Sequence, residues 1–193
     1  MTDGVDAAIE VKPDISRQKE LRRGLEQGLT VKALRRARSS IILEKDEERL
    51  DYFLRTPYYI FAMRAKGNIL ETAEEVIKFY EDEGVAPLDL ADTIVVDGVG
   101  ILANFPIKGL FTWATKDGSE PGQWIDRDTG WFFEEWGDNT LAGFLFKLSS
   151  AVSTIPGRAM LQRPIIHEYL SRAQITDPVQ LPARPEVHEY YKQ

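Results

Sequence analysis

Acidic side chains are concentrated in a stretch of the chain that also carries the turn residues of β-hairpins. Carboxylates that a hairpin brings together can bind a hard cation or act as general acid and base. The string from Asp126 to Gly130 resembles the start of a calcium loop, but the later positions that an EF-hand requires do not match. We therefore predict no bound metal and no cofactor. Metal-assisted hydrolysis or nuclease activity is kept as an alternative function, carried by Asp126, Asp128 and Glu135.

Tryptophan residues accompany these carboxylates. Trp dominates the energetic hot spots of protein interfaces, and carboxylates complement a basic partner. The chain has no Gly-x-Ser-x-Gly elbow, no Walker loop, no dinucleotide fingerprint and no cysteine. We therefore assign no catalytic residue and predict non-enzymatic binding of a protein partner. The predicted partner-binding residues are Trp124, Asp126, Asp128, Trp131, Glu134, Glu135 and Trp136.

Basic side chains are concentrated near the N-terminus, although the net charge is −7. Eight Lys and Arg against two Glu lie between Arg17 and Arg38. Clustered arginines can bind nucleic-acid phosphates. The acidic chain as a whole and the lack of interleaved aromatic residues instead favour a solvated or salt-bridged helix face. Nucleic-acid association is therefore a further alternative, carried by Arg22, Arg23, Arg35, Arg36 and Arg38.

The sheet that would position the carboxylates is predicted from alternating β-branched and aromatic residues. This pattern indicates strands at residues 93–96, 99–105, 109–115, 123–126 and 131–136, with Gly- and Asp-bearing turns between the last three. Alternation within the last strand places Trp131 on one face and Glu134 and Trp136 on the other. We expect one face to pack on a helix and the other to meet solvent or a partner.

Helices are predicted on both sides of these strands. Apolar residues recur at helical spacing over residues 15–40, 44–55, 68–83, 141–148 and 158–172. Gly24 and Gly28 leave open whether the first of these is one helix or two short ones. Residues 57–67 are predicted as a helix, with a strand at Tyr58–Met63 as the alternative.

Helices before and after a continuous run of strands are typical of an α+β fold. We predict a central antiparallel sheet of about four to five strands, flanked by N-terminal and C-terminal helices. Residues 1–14 are expected to be a flexible leader, 15–67 an N-terminal helical region, 68–175 the α+β core and 176–193 a Pro-rich tail. The chain has no run long enough to span a membrane and no secretory signal pattern, so we expect a cytoplasmic protein without a membrane partner.

The order of elements over residues 69–151 resembles the SUKH superfamily, which includes many bacterial immunity proteins. The resemblance is carried by an acidic helix (ETAEEVIKFYEDEG), a Pro-bearing loop, a Gly-rich strand (VDGVGIL), a Trp-bearing strand (GLFTWAT), and a helix (DNTLAGFLFKL) after the closing hairpin. Family members carry a Leu-Pro turn after the first helix, whereas this chain has Ala86-Pro87-Leu88. The resemblance implies an α+β scaffold that binds a secreted toxin domain or another protein and catalyses no reaction.

Overall fold

The computed structural model describes residues 5–35, 46–107, 129–152 and 179–180. They form an α+β fold around a six-stranded sheet. Its strands are β1 (Ala8–Lys12), β2 (Tyr58–Ala62), β3 (Thr93–Val96), β4 (Gly100–Phe105), β5 (Gly130–Glu135) and β6 (Val179–Gln180). The helices are α1 (Gln18–Lys32), α2 (Glu47–Leu54), α3 (Ile69–Asp82) and α4 (Thr140–Val152). None of the helices in this part of the chain has the length and apolar character that crossing a bilayer requires.

The strands lie in the sheet in chain order, and the sheet is mixed. β1 pairs parallel with β2, and β2 pairs parallel with β3. From β3 to β6 each strand pairs antiparallel with the next. The predicted α+β class is confirmed, but the two parallel pairings depart from the predicted antiparallel sheet. Parallel neighbours need a long crossover, and α1 with α2 and then α3 provide the two crossovers.

Two strands lie in segments for which other structure was predicted. The prediction of a flexible leader over residues 1–14 is wrong for residues 8–12, which form β1. Residues 58–62 adopt the strand alternative, so the predicted helical region 15–67 contains a strand of the central sheet. The sequence did not indicate β1, because β1 is stabilised by pairing with β2, a strand far away in the chain.

Helix α1 runs without a break through its two glycines and lies close against β2. The Tyr58 hydroxyl donates a hydrogen bond of 2.8 Å to the Gly24 carbonyl oxygen. A Cβ added at Gly28 would lie 2.7 Å from the Tyr58 ring. Glycine at position 28 therefore allows the helix to approach the strand at this distance.

The sheet has an apolar core on each face. One core lies under α1 and α3, and its centre includes Leu25, Ile60, Val76, Ile94 and Leu102. The other lies under α4, where Phe144 contacts the rings of Tyr59 and Phe61. Helices therefore cover both faces of the central strands. The strands predicted at 109–115 and 123–126, the helix predicted at 158–172 and the Pro-rich tail apart from β6 lie outside the described residues.

Candidate functional site

The predicted partner-binding residues on β5 are largely interior. Trp131 packs in the core under α1 and α3, where its ring stacks on that of Tyr80. Glu134 and Trp136 are buried on the opposite face, under α4, and of these β5 positions Glu135 is exposed. Trp124, Asp126 and Asp128 lie outside the described residues. At Trp131, Glu134 and Trp136 the expectation that one face meets solvent or a partner is wrong, because α3 contacts one face of β5 there and α4 contacts the other.

Glu134 forms a buried polar contact with α4. Its side chain is 1% exposed, and one carboxylate oxygen lies 2.9 Å from the Lys147 ammonium. The other oxygen accepts a hydrogen bond of 3.1 Å from the indole N–H of Trp136. A buried carboxylate needs such partners. Glu134 therefore ties α4 to the sheet and presents no charge to a partner.

The predicted cationic face is partly neutralised by carboxylates. Arg22 lies 3.0 Å from Glu26 and 2.7 Å from Glu83, and these contacts raise the pKa of its guanidinium. Arg35 donates to the Lys32 carbonyl oxygen at 2.5 Å. Arg23 is exposed, whereas Arg36 and Arg38 lie outside the described residues. The described arginines therefore favour the salt-bridged helix face.

Within the described ranges, no group of three or more His, Asp or Glu side chains could hold a metal ion. Of the three carboxylates predicted for metal-assisted hydrolysis, Glu135 alone is in these ranges, at the exposed end of β5. The other two, Asp126 and Asp128, are outside them.

A buried ionic network lies at the amino ends of β2 and β3. The Lys32 ammonium is 2.5 Å from Asp92, and its side chain is 1% exposed. Asp92 also accepts hydrogen bonds from the backbone N–H of Tyr58 at 2.7 Å and from the Tyr52 hydroxyl at 3.2 Å. Burial lowers the pKa of Lys32, although Asp92 favours its charged form, and burial raises the pKa of Tyr52. These groups pair with one another, so the network joins α1, α2, β2 and β3.

Strand β1 is the candidate interaction site, because it is the edge strand of the sheet on the parallel side. The Ala8 N–H donates to the Pro57 carbonyl, and the Lys12 carbonyl accepts from the Met63 N–H. In a parallel pair of strands, alternate residues of one strand bond to the other strand. These two hydrogen bonds therefore show that the N–H and C=O groups of residues 8, 10 and 12 point toward β2. The N–H and C=O groups of Ile9 and Val11 therefore point away from the sheet. Nothing in the described ranges pairs with this outer edge.

The side chains of Ile9 and Val11 are apolar and exposed. Val11 is 65% exposed, the highest value among the exposed large apolar side chains of the described residues. The parallel register places Ile9 beside Tyr59 and Val11 beside Phe61. These four residues share the face of the sheet on which α4 packs over β2 and the strands beyond it. Met63, the next residue of that face after Phe61, is 52% exposed. The cover of α4 therefore ends before β1.

Helix α4 carries two exposed leucines on the same side of the sheet. Phe144 faces β2, whereas Gly143 and Lys147 face Trp136 and Glu134 of the β5 region. By helical geometry, Leu141 and Leu145 lie beyond Phe144, on the flank nearest β2 and β1. We define the β1 surface as the outer edge of β1 with its exposed apolar neighbours: Ile9, Val11, Met63, Leu141 and Leu145.

The opposite face of β1 carries charges under α1. Lys12 is buried, and its ammonium lies 2.9 Å from Glu10 and 3.6 Å from Glu20. Glu10 and Lys12 thus lie with Ala8 on the face under α1, whereas Ile9 and Val11 lie exposed on the opposite face. This surface was not predicted from the sequence, although the alternation of apolar and charged residues over Ile9–Lys12 is a recognisable strand signal.

No protein-family model, no curated protein and no solved structure matches this chain.

Proposed function

We propose that this protein is a non-enzymatic protein-binding module whose docking site is the β1 surface. The observation that carries the proposal is the outward direction of the Ile9 and Val11 backbone groups on an edge strand. An extended segment of a partner can add itself to such an edge, since main-chain hydrogen bonds supply affinity and alternate side chains supply specificity.

The character of the edge supports this function. Exposed edge strands invite pairing with another chain, and proteins commonly block them with charged side chains or proline. On the outward face of β1, the side chains are Ile9 and Val11, while Lys12 is turned inward to Glu10. The two residues whose backbone groups point away from the sheet, Ile9 and Val11, are thus neither charged nor proline.

The apolar neighbours of β1 extend the contact beyond one strand. Contiguous exposed apolar patches on single chains commonly mark interaction sites. Met63 lies beside the end of β1, and Leu141 and Leu145 are exposed on the flank of α4 that is turned toward β2 and β1. A partner strand paired with β1 would direct alternate side chains toward this patch, so we expect apolar residues at every second position of the partner segment. Toxin immunity, as the SUKH resemblance implies, is the narrower role within this proposal.

A photoreactive amino acid placed at position 11 tests the proposed function. Cross-linking is performed with full-length protein in cells of the source organism, and the attached peptide is identified by mass spectrometry. The matched control carries the same amino acid at Leu70, an exposed apolar position on α3. We expect a polypeptide attached to position 11 and not to position 70. Equal labelling at both positions, or no protein adduct at position 11, would contradict the proposal.

A further inference from the structure

In the sequence Glu10-Val11-Lys12, residues of opposite charge lie at equal distances on either side of Val11. When two copies of β1 run antiparallel with Val11 opposite Val11, Glu10 of each copy lies opposite Lys12 of the other. We propose that the β1 surface binds a second copy of this chain in this register, joining two sheets edge to edge. This inference rests on the proposed function and names its partner.

The hydrogen-bonding phase of β1 fits this register. An antiparallel pair alternates hydrogen-bonded positions with non-hydrogen-bonded ones. Val11 directs its N–H and C=O outward, so two Val11 residues on a two-fold axis exchange both hydrogen bonds. The outward N–H of Ile9 meets the carbonyl of Pro13 in the other copy. Pro13 has no N–H to donate, so the ladder ends there and the paired segment is short.

The charges fit the same register. Glu10 and Lys12 occupy the intervening non-hydrogen-bonded positions, where facing side chains are closest. Each Glu10 already lies 2.9 Å from Lys12 of its own chain. In this register Lys12 of the second copy lies opposite Glu10, so no like charges face each other across the axis, while Lys12 keeps its contact with Glu20 of its own chain at 3.6 Å. A two-fold axis makes such an interface the same patch on both copies.

The apolar residues favour a second copy over solvent. Val11 is 65% exposed, and across the axis it packs against its own symmetry mate. Ile9 lies two residues away on the same face. Each copy also carries Met63 beside the strand, so the pairing places two apolar patches on one continuous face of the joined sheets.

Light scattering on the purified full-length protein measures this association. We expect the wild-type protein to have the mass of two chains. Val11→Lys places two ammonium groups opposite each other on the axis and should weaken dimerisation about tenfold or more, a change equivalent to about 1.4 kcal/mol. Leu70→Lys, which adds the same charge to α3, should leave the dimer unchanged. Circular dichroism of each variant checks that the fold is retained.

Cysteine cross-linking tests the register. The chain has no cysteine, so a single introduced thiol reports only contacts between copies. We expect Val11→Cys to give a covalent dimer with a short bifunctional thiol reagent, and Leu70→Cys to give none. A monomeric wild-type protein, or a dimer that persists in Val11→Lys and does not cross-link through position 11, overturns the inference. If position 11 then cross-links to a different protein in cells, the proposed function stands and the second copy is the wrong partner.

Discussion

Replacing Asp92 by Asn tests the buried ionic network. The substitution keeps the size of the side chain and one acceptor oxygen for the Tyr58 N–H, now 2.7 Å from the carboxylate. It removes the negative charge that lies 2.5 Å from the Lys32 ammonium. Lys32 is 1% exposed, so its charge is then buried without the carboxylate that pairs with it. Removing one partner of a buried ion pair costs about 3–5 kcal/mol.

This cost converts into a measurable change of melting temperature. In a chain of 150–250 residues, about 1 kcal/mol shifts the melting temperature by about 2–4 °C. We therefore expect Asp92→Asn to melt about 6–20 °C below the wild type. Calorimetry gives the shift, and urea unfolding gives the change in the free energy of unfolding. Glu71→Gln, which removes an exposed carboxylate from α3, is the matched control and should change the melting temperature little.

A double-mutant cycle separates the ion pair from other effects of the substitution. Lys32→Met removes the buried cation, so the protein carrying both substitutions should be more stable than the sum of the two single changes predicts. A loss below about 1 kcal/mol in Asp92→Asn would refute the reasoning. Strict additivity of the two substitutions would refute it as well.

Two further predictions concern α1 and the buried tyrosines. Gly28→Ala should lower the free energy of unfolding by about 1–3 kcal/mol relative to Gly24→Ala in urea titrations. A new Cβ at position 28 meets the Tyr58 ring at 2.7 Å, whereas at position 24 it meets the end of the Ile60 side chain at 3.2 Å. Equal stability of the two variants would contradict the close packing of α1 on β2. Burial raises the pKa of Tyr52, Tyr58 and Tyr80. As the pH rises above about 10, the unfolded chain loses these protons before the folded protein does, so the stability that they contribute below this pH is lost. Absorbance at 295 nm should therefore show these three phenols ionising together with unfolding, and their ionisation in the folded protein near pH 10 would contradict the assignment.

The elements with local signals could be predicted from the sequence. Helix α3 has a clear apolar stripe, and its N-cap Asn68 accepts a hydrogen bond from the Leu70 N–H at 3.0 Å. The strands β3, β4 and β5 and the helix α4 also follow from alternation and helical spacing. These signals depend on neighbouring residues alone, which the sequence displays directly.

The parallel half of the sheet depended on distant pairing. The five residues of β1 include Glu10 and Lys12, and the Lys12 side chain is buried between Glu10 of the strand and Glu20 of α1. Without β1, and with β2 predicted as a helix, no β-α-β unit is visible. The sequence also placed Glu134 and Trp136 on one face of β5, but it did not show that α4 covers that face. The predicted binding residues Trp131, Glu134 and Trp136 therefore lie on or next to an interior strand, and the edge strand β1 was not predicted.

Amide hydrogen exchange along β1 tests most directly whether its outer edge is a docking surface. Amides of Glu10 and Lys12 point toward β2 and should exchange slowly at every protein concentration, which provides an internal reference. If this edge is a docking surface, the amide protons of Ile9 and Val11 exchange rapidly in dilute protein. They become protected as the protein concentration rises or when a captured partner binds. Rapid exchange of both amides in concentrated protein and in partner complexes alike would contradict it.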